Sequence, residues 1–187
     1  MAIFQGIRDS WADRKLERIK DVRRMRRITN LHEAKDVGVI YPSDSEAIHI
    51  LVKQFMERLR GEYGIPKTLS LGFVPEKEAP NYHSHMLHTD YFTAADLNWF
   101  GKPSGHTVES FIEREFDILI DLSDGTIRPL RFVMQLSRAY FRIGRNGAPQ
   151  GYDMGISLDS DTTLDGYLKQ LDHFLSIINH HEERQRV

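Results

Sequence analysis

At 187 residues, 40% hydrophobic and 28% charged, the chain has the make-up of one water-soluble domain large enough to bury a core. No apolar run approaches the roughly 18 residues of a membrane span, and the lack of cysteine excludes disulfides, thiolate metal sites and a cysteine nucleophile. The net charge of −2 hides a split: Arg8 to Ile28 carries nine basic residues against four acidic ones, a charge of +5 that leaves −7 on the remainder.

That leader contains neither proline nor glycine, and its Leu16, Ile19, Val22 and Met25 recur every three residues, which predicts a basic helix with a narrow apolar stripe. Residues 1–30 therefore read as a helical extension and 31–187 as a single α/β domain. Such a stripe needs a partner. One reading lays the helix across its own acidic domain. Another presents Arg14, Lys15, Arg18, Arg23, Arg24, Arg26 and Arg27 to the phosphates of RNA or a ribosomal particle, or to an acidic protein surface. A membrane-surface helix is disfavoured because the apolar side is thin and carboxylates are interspersed. Residues 1–7 lack the basic start and length of a secretory signal, so the expected home is the cytoplasm.

Beyond Asp36 the pattern alternates between strand and helix. Val37–Tyr41 reads as a strand stopped by Pro42, and Ser43 to Glu46 supply oxygens for a helix cap. Ile48, Leu51, Val52, Phe55, Met56 and Leu59 then mark one helical face, ended by Gly61 and Gly64. A second strand, Thr68–Val74, completes a β-α-β unit. Residues 75–103 are less regular, with a short strand expected near Leu87 to Tyr91 and a structured turn over Asp96–Pro103 that buries Trp99 and Phe100. A helix over Thr107–Glu113 precedes the central strand, Phe116 to Leu122, which delivers Asp121, Ser123, Asp124 and Gly125 into a polar loop. A further helix from about Thr126 buries Leu130, Val133, Met134 and Ser137. Tyr140–Ile143 and Tyr152–Leu158 read as an antiparallel pair, and a last helix, capped within Asp161–Asp165, buries Leu164, Tyr167, Leu168, Leu171, Phe174, Leu175 and Ile178.

The phrases Asp96-Leu97-Asn98-Trp99-Phe100-Gly101-Lys102-Pro103 and Phe116-Asp117-Ile118-Leu119-Ile120-Asp121-Leu122-Ser123, with Arg142-Ile143-Gly144-Arg145 and Tyr152-Asp153 behind a basic leader, resemble an uncharacterised Bacteroidota family of small proteins. That resemblance implies no reaction, cofactor or catalytic residue, and the histidine cluster of this chain is not part of the pattern.

Two constellations carry chemistry. His83, His85 and His88, with Asp90, have spacing that a divalent cation can use, although a run of exposed histidines is the simpler reading. At the central strand's end, Asp121, Ser123, Asp124 and Arg128, with Ser43 from the first loop, could hold a phosphate or Mg²⁺; alternatively Ser123 or Asp124 caps the following helix and Asp121 binds loop amides. No dinucleotide loop, phosphate loop, nucleophile elbow or His-Glu-x-x-His motif is present. The expected fold is a three-layer Rossmann-like α/β sandwich with a mostly parallel sheet and an N-terminal basic helical extension. The expected function is a non-catalytic binding protein docking through the leader on RNA or another acidic partner. The alternative is an enzyme acting on a phosphorylated or nucleotide-containing small molecule at the strand-end loops. A closed crevice at Ser43, Asp121 and Ser123 would favour the first, and an open one the second.

Overall fold

The computed structural model describes residues 10–16, 18–19, 24–80, 87–145, 151–157 and 162–178. The β-branched and aliphatic runs become six strands: β1 (Asp36–Pro42), β2 (Lys67–Val74), β3 (Thr89–Thr93), β4 (Ile118–Asp121), β5 (Phe141–Arg145) and β6 (Met154–Ile156). They form one sheet in the order β3-β2-β1-β4-β5-β6, with every neighbouring pair parallel. A parallel sheet is covered on both faces, which is why its central strands are apolar on both sides rather than alternating. β4 shows this directly, with all four of its residues buried.

Alternate residues feed two cores. Val37, Val39, Tyr41, Ile118 and Ile120 face α1 (Glu46–Gly61) and α4 (Leu164–Ile177), where Val52, Phe55, Leu59, Leu168, Leu171 and Leu175 meet them. Ile40, Leu71 and Leu119 face α2 (His106–Glu113) and α3 (Arg128–Leu136), packing on Val108, Phe111, Leu130, Val133 and Met134. The three-layer Rossmann-like sandwich follows from that division. Ser45 caps α1 and Thr163 caps α4 through their side-chain oxygens, as polar residues ahead of each apolar run should.

Several expectations are corrected. The return over Tyr140–Leu158 is parallel: Ile143 lies beside Met154 and Arg145 beside Ile156. Asp153 causes this, because its N–H donates to the Arg142 carbonyl at 2.9 Å while its Oδ2 accepts the Arg142 N–H at 2.9 Å. The chain is thus pinned back at the start of β5 before β6 begins. α3 starts at Arg128 with Ile127 at its cap position and no side-chain cap; Asp124 instead closes a local turn on Thr126. Phe174 is exposed, although Leu171 and Leu175 of the same helix are fully buried. The Asp96–Pro103 turn is present, closed by Asn98 N–H on the Lys102 carbonyl and by Gly101 at positive φ, but Trp99 projects from it.

The leader is helical over residues 10–16 and again at 18, and residues 24–30 take no regular structure, so the helix does not run on to Ile28 as expected. The body offers this stretch better partners than its own carbonyls do. Arg27 N–H donates to the Tyr140 carbonyl, Leu31 N–H to the Leu175 carbonyl, and the Arg24 guanidinium reaches the carbonyls of Ala139 and Tyr140. Arg24 also donates to Asp153 Oδ1 at 2.6 Å with its side chain only 2% exposed. Breaking such a shielded ion pair from one side costs about 3 kcal/mol. Arg24→Met, which keeps the stem and removes the fork, should lower unfolding stability by that order in a urea melt; an unchanged midpoint would show that the leader is not fastened there.

Candidate functional site

In an open α/β sheet a ligand crevice forms outside the carboxyl ends of the strands, where the strand order reverses. Here that place is the gap beyond β1 and β4, which the Ile40–Asp121 register sets side by side. Asp121 ends β4 on the α2/α3 face and is wholly buried. Its Oδ1 accepts the Ser123 N–H at 2.8 Å, and its Oδ2 accepts the Tyr152 hydroxyl. The Tyr167 hydroxyl donates to the Asp121 carbonyl at 3.3 Å from the opposite face. Ser123 Oγ in turn accepts the Gly125 N–H, and Gly125 adopts positive φ to make that turn. Ser43 is buried beyond β1, its N–H on the Phe73 carbonyl.

The crest is therefore closed, and one glycine shows how. Tyr152 lies so close over Gly144 of β5 that a Cβ there would stand 2.4 Å from the ring. Only glycine lets the tyrosine slide across the strand and reach Asp121. Burial pushes the Asp121 carboxyl above its ordinary value, against the lowering effect of the Tyr152 and Ser123 bonds. Burial likewise raises Tyr152 and Tyr167, each beside the Asp121 charge. For Asp124, burial works to raise the carboxyl, but the paired bonds from Thr126 outweigh it and hold the group below its ordinary range.

Of the residues expected to assemble a site, Asp121 and Ser123 touch, whereas Asp124 is exposed on its own turn. Arg128 opens α3 and pairs with Asp13 of the leader at 3.7 Å, and Arg131 reaches the same carboxylate at 3.5 Å. His83 and His85 lie outside the described residues; His88 is exposed, with its carbonyl on Ser70. Among the described residues no group of three potential ligands is placed to hold a metal ion, and no helix is long and apolar enough to cross a membrane.

Of the basic leader residues, Arg24 is turned inward, Arg26 stands 3.6 Å from Asp153, and Arg27 pairs with Asp117 and lies over the Tyr140 ring. Arg23 lies outside the described residues. Arg14, Lys15 and Arg18 are exposed. With Trp11 they line a hollow of about 250 Å³, and Lys15 Nζ sits 5.6 Å from the Trp11 ring. Trp11 is 46% exposed and Trp99 59%, their rings 5.7 Å apart. Buried Ala12 and Leu16 hold this turn of helix against the body. A second cavity, of about 390 Å³, is lined by Trp99 with Phe73, Leu97, Asn98, Arg128 and Pro129. The sequence carried a signal for this face in its unexplained Asn98-Trp99-Phe100 phrase, but nothing in it linked residue 99 to residue 11.

The strand order and the closed crest define a Rossmann-like α/β protein with a leader folded onto it. The chain belongs to the Family of unknown function (DUF6913), which it matches over residues 8–178, so the leader from residue 8 onward is part of what the family shares. No curated protein and no solved structure matches it.

The Asp121 environment sets a pH dependence. A raised folded-state value means that folding favours the protonated carboxyl, so its contribution is complete below the ordinary value of 3.8 and is lost as pH rises through the folded value. Asp121→Asn, which cannot ionise, should melt progressively higher relative to wild type as pH is raised from 4 to 8. A melting difference independent of pH would show that the carboxyl is not perturbed.

Proposed function

We propose that this chain is a non-catalytic binding protein of the cytoplasm that docks on RNA, free or within a ribosomal particle, through the first turns of its leader. The observation that carries the reading is the pair of half-exposed tryptophans bordered by Arg14, Lys15 and Arg18. Large aromatics left in water beside clustered cations are the combination that stacks bases and neutralises phosphates. The buried state of Ser43, Asp121 and Ser123 supports the same reading, because the place where a Rossmann-like enzyme would hold its ligand is filled by protein. The competing reading, an enzyme for a phosphorylated or nucleotide-containing small molecule, has in its favour the cavity beside Trp99 at the strand ends. Among the described residues, those lining that cavity include no pairing of an acid or base with a nucleophile.

Binding of a labelled RNA across a salt series tests the proposal. Log affinity should fall with log salt by about 0.7 for each phosphate neutralised on a single strand. Replacing Arg14, Lys15 and Arg18 together by alanine should reduce that slope by about 2 and leave the melting temperature unchanged, since these side chains are exposed. A slope the triple variant does not alter would remove the leader from the interface. A partner that survives nuclease treatment of a cell extract would favour an acidic protein surface over RNA.

A further inference from the structure

We propose that the cavity beside Trp99 takes one unstacked nucleotide, so that the RNA partner is recognised as a single strand; this rests on the RNA reading above. The cavity, about 390 Å³, offers a different chemistry for each part of a nucleotide. Trp99 presents an exposed π-face, and Phe73, Leu97 and Pro129 supply apolar surface for the second face of a base. Asn98 supplies an oriented amide. Its Oδ1 accepts the N–H groups of Phe100 and Lys102 at 3.2 and 3.0 Å, which fixes the group and leaves Nδ2 as the donor to a base edge. Arg128 supplies the cation for a phosphate. Arg131 stands beside it: both guanidiniums face Asp13 Oδ1, at 3.7 and 3.5 Å, longer than a charge-assisted hydrogen bond, so a more highly charged anion can compete for the pair.

Trp99, which lines this cavity, stands with its ring 5.7 Å from that of Trp11, which lines the hollow with Arg14, Lys15 and Arg18. A strand that places one base beside Trp99 can carry its neighbouring phosphates across the leader's cations. A duplex cannot, because its bases remain stacked and its A-form major groove is too narrow for side chains. An acidic peptide would meet the cations, but its Asp and Glu side chains carry no ring to stack on Trp99.

Trp11 and Trp99 are the chain's two tryptophans, so intrinsic fluorescence reports on this face alone. The experiment titrates the full chain with a mixed-sequence single-stranded oligoribonucleotide, with the same sequence as a duplex, and with AMP and UMP. Saturable quenching by the single strand is expected, with the duplex bound at least about tenfold more weakly. Trp99→Leu should weaken single-strand binding by about tenfold, the size of one base–aromatic stack, and leave the salt slope intact. Trp99→Phe should restore most of the affinity, which separates loss of stacking from a disturbed fold. Mononucleotides should quench weakly and lose even that in Trp99→Leu. Equal binding of both RNA forms with no effect of Trp99→Leu would overturn the inference while leaving the RNA reading intact. Failure of either RNA to bind would remove both. A mononucleotide bound more tightly than the oligonucleotide would overturn it in favour of a small-molecule site.

Discussion

A guanidinium with no access to solvent, that of Arg142, governs how the second half of this protein is put together. Arg142 sits near the start of β5 and donates to the carbonyls of Gln135, Ser137 and Gly151. It therefore ties the end of α3 to the chain that returns to β6. Burial, with Arg24 close by, lowers its proton affinity to a pKa of about 10, and the Asp153 charge opposes that shift. A buried charge is tolerable only while its partners stay in place. Asp153 favours that charge from nearby, and its carboxylate accepts the Arg142 backbone N–H while receiving Arg24 from the leader. One acidic residue thus holds the leader, β5 and the start of β6 in register.

The closure of the crest follows from this arrangement. Once Asp153 is fixed at the beginning of β5, its neighbour Tyr152 must lie along that strand, over Gly144, with its hydroxyl on Asp121. Tyr167 completes the lid from α4 on the far side. The sheet keeps the strand order that gives Rossmann-like proteins their crevice, while the side chains that fasten β6 occupy it. The half-exposed tryptophans and the cations that face water lie instead on the leader's side of the molecule.

The leader divides its charges accordingly. Arg24 and Arg27 serve the fold, through Asp153 and Asp117 beside the amino ends of β6 and β4. Asp117 also accepts the N–H groups of Lys35 and Asp36 where the chain enters β1. Arg14, Lys15 and Arg18 make no such ion pair among the described residues and line a hollow with Trp11. A composition that reads as one block of +5 is, in the folded protein, a fastening at one end and an exposed cationic surface at the other.

The sequence by itself determined the elements whose signal is local. Val37–Tyr41, Thr68–Val74 and Ile118–Ile120 are apolar and β-branched enough to be strands, and the 3.6-residue spacing of Val52, Phe55, Met56 and Leu59 or of Leu168, Leu171 and Leu175 defines helix faces whatever they pack against. It also marked Asp121 and Ser123 as a polar end to an apolar strand, which is where the buried hydrogen-bonded turn lies. Tertiary structure decided the rest, because each remaining feature depends on residues far apart in the chain. The direction of β6 was set by Asp153 meeting Arg142, since a short connection alone suits an antiparallel return. The departure of residues 24–30 from helix was set by the carbonyl of Tyr140, which takes the Arg27 N–H that helical spacing had assigned to the leader itself. Trp99 reads as a core residue from its type, yet it stands exposed with its ring against Trp11, 88 residues earlier in the chain. Hydrophobic periodicity records which side of an element is apolar; it holds no record of which distant backbone group or ring will meet that side.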